Sequence, residues 1–407
     1  MKSIKFRMAA MVLAATLNVM SSCKKDDTTT PAPVAEEEKL LNGELTVNRT
    51  LLAGVTYQLS GGYHVKAGAT LTIEAGTKIV AIDDNIVDYI LIEQDAKIKA
   101  QGTASNPIVM TSERKEAGAW GGLHICGKAP INVSGTAISE IGDAPYGGSN
   151  SSDNSGVMKY IRIEYAGYSF SEEKEANGFT FYGVGNGTTV EYCQAYMGSD
   201  DGFEWFGGTV NVKHLISTGN SDDAFDWTQG WTGKAQFLVA YQPEESVLGY
   251  DCDALIEADN NADNFAATPV AHPILSNLTL IGNNSAAQKR GIRLRAGTEA
   301  EIYNALVKGK AKCITTQTSE TEASLINGSS VLDYIYLENT VVSEDGGYSE
   351  ELFLANGTNA VNQTINFNNI YIGVVDGGKV LTDSFFENAA YKGAVKEGND
   401  WTSGWSI

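Results

Sequence analysis

Proline is scarce in this chain at eight of 407 residues, and no two of its five cysteines have the C-x-x-C spacing of a zinc site. Basic residues are in deficit too, with 29 Lys and Arg against 50 Asp and Glu and a net charge of −21. So acidic a chain argues against nucleic acid or an anionic membrane surface as a direct partner, and favours divalent cations and neutral glycans. After the N-terminal leader no run of 18 apolar residues occurs, so nothing later reads as a membrane-spanning helix. Glycine, by contrast, is plentiful at 43 residues, and with little proline it suits the frequent tight turns of a repetitive all-β chain.

Lys2, Lys5 and Arg7 precede the apolar run Met8 to Val19 and then Met20-Ser21-Ser22-Cys23. A basic start, a short apolar core and small residues before the cut predict a secretory signal over residues 1–22. Cys23 after two serines resembles the lipobox of bacterial lipoproteins, which implies lipidation at Cys23. Residues 23–41, polar and acidic with Pro31 and Pro33, read as a flexible tether. Its opening Cys-Lys-Lys-Asp-Asp resembles the signal that sends Bacteroidota lipoproteins to the outer face of the outer membrane. The remaining cysteines, Cys126, Cys193, Cys252 and Cys313, allow two disulfides, but their wide, irregular spacing favours free, buried thiols.

The strongest internal signal is a repeated phrase. S-D-D-G-F-E-W at Ser199–Trp205 returns as S-D-D-A-F-D-W at Ser221–Trp227, 22 residues later, which is the length of one turn of a β-solenoid. Stacking one turn on the next sets Glu204 against Asp226, and Phe203 and Trp205 against Phe225 and Trp227, at strand spacing of about 4.8 Å. Strand alternation turns the aromatic residues inward and the central residue outward. Aligning other coils on the same pattern extends the outward column to Thr180, Glu204, Asp226, Glu257 and Arg293, with His124 one or more coils earlier.

The opening coils, through Ile73-Glu74-Ala75-Gly76-Thr77, Gly102 to Ile108 and Trp120-Gly121-Gly122-Leu123, resemble secreted right-handed β-helix proteins of Bacteroidota. The likeness continues through Tyr160 to Gly167, the Ser-Asp-Asp repeats and Thr279-Leu280-Ile281-Gly282. The resemblance implies a right-handed parallel β-helix over residues 42–384 and an address at the cell surface. Gly142 to Ser155, rich in Gly, Ser and Asn, is expected to be a loop thrown out from the coils. The aromatic run 385–407 is expected either to cap the last coil or to pack as a tail against the helix.

Three functional classes follow from these residues. Long side faces and irregular loops suit a monomer that binds an extended polysaccharide, with Thr180 on the face and Trp120, Trp231 and Tyr250 as loop-borne sugar platforms. Stacked carboxylates about 5 Å apart also match the spacing of a retaining glycosidase, with Glu204, Asp226, Glu257 and Arg293 as catalytic candidates; in a polysaccharide lyase Arg293 or Arg295 would be the base or the charge neutraliser, with calcium on the uronic acid carboxylate. The third class is a structural or adhesive surface protein without catalysis. Asp200, Asp201, Asp222 and Asp223, joined by Glu204 and Asp226, offer the oxygen-rich ligand set that Ca2+ takes. The Asp-Asp pairs equally suit turns, where their carboxylates accept backbone N–H groups.

Overall fold

Short runs of alternating apolar and polar residues become strands that pair in parallel with the same run one coil away. Together they form a single 24-stranded sheet wound into a parallel β-helix. The computed structural model describes residues 35–407 except 135–136 and 172–173; the leader 1–22 and Cys23 lie outside the described residues. The first strand is Leu40–Leu45. Leu41 is fully buried in it, so the helix begins slightly before the expected end of the tether.

The inward aromatic residues stack through the interior as their register demands. Phe179 lies 4.8 Å from Phe203, which lies 5.6 Å from Phe225, and Phe181 lies 5.8 Å from Trp205. These rings are essentially without solvent contact and merge with the aliphatic core of the flanking coils. Cys126, Cys193, Cys252 and Cys313 are unpaired and buried.

A second ladder marks one outer corner. Tyr160, Tyr192, His214, Phe237, Asn277 and Asn304 all hold φ between 52° and 60°, each where the strand of its coil bends. That left-handed conformation is unfavourable for bulky residues. Here it is offset by stacking: Tyr160 on Tyr192 at 4.4 Å, Tyr192 on His214 at 4.2 Å and His214 on Phe237 at 4.9 Å. Burial among these rings lowers the His214 pKa to about 3. His214 is therefore a packed ring.

Of the two roles expected for the C-terminal run, the structure shows the second: it packs along the flank of the helix. Trp401 and Trp405 set their edges against the aromatic corner. Asn277 donates to the Ala389 and Tyr391 carbonyls, Asn304 to Lys379, and Gln194 to Ile407. Phe353, on the short helix Glu350–Leu354, joins the main core near the far end of the stack.

Candidate functional site

One phrase, repeated three times, builds the site. Asn177-Gly178-Phe179-Thr180, Asp201-Gly202-Phe203-Glu204 and Asp223-Ala224-Phe225-Asp226 occupy equivalent places in successive coils. Their register continues on both sides, so that His124, Thr180, Glu204, Asp226, Glu257 and Arg293 form one column in that order. His124 lies one coil before Thr180. The turns are tight: a Cβ at Gly202 would come within 2.7 Å of the Ala224 carbonyl.

The two aspartates of each pair have different tasks. Asp201 Oδ1 accepts the Asp223 N–H at 2.8 Å, and Asp223 Oδ1 accepts the Ala254 N–H at 2.7 Å, so the second member ties its turn to the next coil. The first members, Asp200 and Asp222, line a cavity, together with Asp201, Glu204 and Asp226.

This face is covered, and the loop expected to project outward is what covers it. The segment after Cys126 folds back over the strands, where Tyr146 packs on Tyr182 at 4.9 Å and donates to Gln229 at 2.8 Å. Tyr146, Tyr182, Phe206, Leu91, Cys126 and Ala144 make a small core of their own between the loop and the helix. A second hairpin, Ser169–Ser171 with Lys174–Glu175, brings Glu175 to the cavity. His124 and Thr180 are consequently sealed, although their strand parity is outward. Burial depresses His124 to a pKa of about 4, and it is not an exposed base.

The cavity has a volume of about 200 Å³ and is lined by seven carboxyls and one amide: Glu140, Glu175, Asp200, Asp201, Glu204, Asp222, Asp226 and Asn177. No lysine, arginine or histidine is among these lining residues. Burial, reinforced by the neighbouring acids, pushes Asp200, Asp201, Glu204 and Asp226 well above the usual carboxyl range. The same causes raise Asp222 to about 6 and Glu140 to about 7, the latter against the hydrogen bond that Tyr182 donates to it at 3.0 Å. Two acceptor oxygens lack any partner: Asp226 Oδ1 and Asn177 Oδ1. Asn177 is 1% exposed, and its amide nitrogen is committed to Glu204 Oε2 at 2.5 Å and Thr180 Oγ1 at 3.2 Å.

Farther along the column the charges are matched. Arg293 meets Glu257 at 2.5 Å, while Arg295 meets Glu257 at 2.9 Å and Asp259 at 2.6 Å. Burial alone would lower the Arg295 pKa, but its hydrogen bond to Asp259 and the charges of Asp259 and Glu257 raise it overall. Neither arginine is a free base.

A model of a pectate-lyase-like β-helix domain matches residues 43–406. The chain belongs to this family. No curated protein and no solved structure matches it. The pectate-lyase-like frame accounts for the stack and leaves the acidic cavity to be read from its own residues.

Two of the three expected sugar platforms of this pectate-lyase-like chain are in fact core residues. Trp120 is 1% exposed, with its indole N–H on the Glu164 carbonyl. Trp231 is fully buried, stacked on Trp205 at 4.6 Å and bonded to the Val210 carbonyl. Their glycine neighbours suggested loops, but each ring turns into the interior and leaves no face for a sugar. Tyr250 is partly buried and donates to the Gly219 carbonyl at 2.6 Å. Asn177, Glu140 and Glu175 escaped the sequence reading. Asn177 was findable, since Asn177-Gly178-Phe179-Thr180 is the same phrase one coil earlier; the two glutamates sit in hairpins that no repeat announces.

Proposed function

We propose that this chain is an exported lipoprotein, anchored through Cys23 at the outer face of the outer membrane, that binds an acidic polysaccharide through divalent cations such as Ca2+ held in the cavity. The observation that carries the reading is the set of seven carboxyls gathered around about 200 Å³ with no basic side chain among the lining residues. A charge density of this kind needs protons or cations. The donor set fits a hard cation. Oxygen ligands lie about 2.3–2.6 Å from Ca2+, so two of them on one ion are at most roughly 5 Å apart, and the carboxylate triads here fall within 4.8 Å. The cation would neutralise Glu204 and Asp226 and leave positions for a sugar carboxylate.

The family's name supports the ligand class, because pectate is a chain of uronic acids. Binding is favoured over cleavage by the arginines: Arg293 and Arg295 are each held by carboxylates and so are poorly placed to abstract a proton. The test is retention on immobilised polygalacturonate with calcium and release by chelator. Equal passage of the protein in both buffers would dismiss the reading, and unsaturated products absorbing in the ultraviolet would convert it to a lyase.

A further inference from the structure

We infer that the cavity holds two divalent cations side by side, with Asp201 shared between them, an inference that rests on the cation-dependent reading above. The carboxylate oxygens form two triads, Asp200 with Asp201 and Asp222, and Asp201 with Glu204 and Asp226. Each triad has its atoms within 4.8 Å of one another, and the only member common to both is Asp201. A carboxylate has about four lone-pair sites on its two oxygens, so Asp201 can bridge while Oδ1 still accepts the Asp223 N–H; paired metal sites stand about 3.5–4 Å apart.

The reason for two ions is charge. One divalent ion in either triad leaves the neighbouring triad with buried acids whose nearby positive charges, Arg293 beyond Asp222 and Arg295 beyond Asp226, are already bound to Glu257 and Asp259, and no basic side chain lines the cavity. The repeat supplies the geometry: each coil gives one turn aspartate and one strand acid, so two coils make two adjacent sets. An observation independent of the acids points the same way. The Asn177 side chain, 1% exposed and lining the cavity, keeps Oδ1 without a partner while its nitrogen fixes Glu204. Its free oxygen is a neutral donor at the Glu204 end, where Asp226 Oδ1 is also unpartnered.

A third triad, Asp222 with Asp223 and Asp253, shares Asp222 with the first. Asp223 is committed to the Ala254 N–H, and the chain supplies its own cation nearby. The Lys310 ammonium is fully buried and donates to the carbonyls of Cys252, Asp253 and Gln288 at 2.7–3.1 Å. Its charge attracts Asp253 and Asp223, so this triad has a positive charge of the chain's own beside it.

The experiment is a calcium titration of the protein, read as stoichiometry by calorimetry and by native mass spectrometry. Two ions per chain are expected in the wild type, one in Asp226→Asn, one in Asp200→Asn, and a loss of at least tenfold in affinity at both sites in Asp201→Asn. Asparagine at 201 keeps the oxygen that accepts the Asp223 N–H, and circular dichroism checks that it folds; if it does not, the Asp200 and Asp226 variants carry the test alone. One ion in the wild type would overturn the shared pair and leave the single-cation reading standing. No bound ion would overturn both.

Discussion

Asp226 and Glu257 are neighbours in one column, yet the groups that bind them directly differ. At Glu257 two guanidiniums arrive from the next coil and bind the carboxylate directly. At Asp226 the nearest rung is another acid, Glu204, and the turns on either side contribute more. The same strand position, with the same parity and the same backbone, is thus a closed ion-pair network in one region and an open acidic cavity in the other. Structural carboxylates in this fold bring their own partners, and a group that lacks them marks a place where something from solution belongs.

The comparison breaks most visibly on the matched side. Arg295→Met should leave Glu257 and Asp259 buried without their shared partner and cost about 3 kcal/mol, the lower end for a broken buried pair because Arg295 keeps some solvent contact. Denaturant unfolding measures it, and a change under about 1 kcal/mol would mean the network is worth little.

On the unmatched side the sign should reverse. With chelator present, Glu204→Gln combined with Asp226→Asn is expected to stabilise the protein by about 1–2 kcal/mol, between the values for a like-charge contact in water and near a protein surface. With calcium present the same variant should lose the stabilisation that the wild type gains. Destabilisation in chelator would show that the two acids are already satisfied.

A milder effect concerns pH. In chelator the wild type should be more stable at pH 5 than at pH 8. Carboxyls of the unfolded chain ionise near pH 4, whereas Asp222 and Glu140 in the folded protein keep their protons to about pH 6 and 7. Across that window the folded state binds more protons, so stability falls as pH rises. The buried His124 and His214 oppose this slope below pH 6.5, so the readout is the comparison of wild type with Glu140→Gln in thermal unfolding: an unchanged slope between pH 5 and 8 would contradict the raised Glu140 value.

The smallest effect at neutral pH belongs to the aromatic corner. His214→Phe keeps the stack with Tyr192 and Phe237 and should change stability by less than about 1.5 kcal/mol at pH 7. His214 stays neutral in the fold down to about pH 3, while an unfolded histidine protonates near 6.5, so this residue costs stability as pH falls below 6.5. The phenylalanine variant should lose that part of the acid sensitivity, as unfolding at pH 4.5 and pH 7 would show.

The legibility of each part in the sequence follows from repetition. Glu204 over Asp226 was readable because the whole phrase recurs after 22 residues, and the Glu257 and Arg293 rungs followed from the apolar-X-apolar pattern although their gaps are longer. The cover over this face was not readable. Tyr146, Glu140 and Glu175 belong to insertions whose packing depends on the folded surface beneath them, and Gly-rich composition says only that a turn is present. Trp231 shows the same limit from the other side: its neighbours signal a turn, but the size of the ring and the space beside Trp205 draw it inward.

The most direct test of the central claim is thermal unfolding of the protein in calcium and in chelator. An ion that binds only the folded state raises the midpoint, by the equivalent of about 2.7 kcal/mol at a hundred times its dissociation constant. The account predicts such a rise in the wild type and a smaller one in Asp201→Asn. Identical midpoints in calcium and chelator would contradict it.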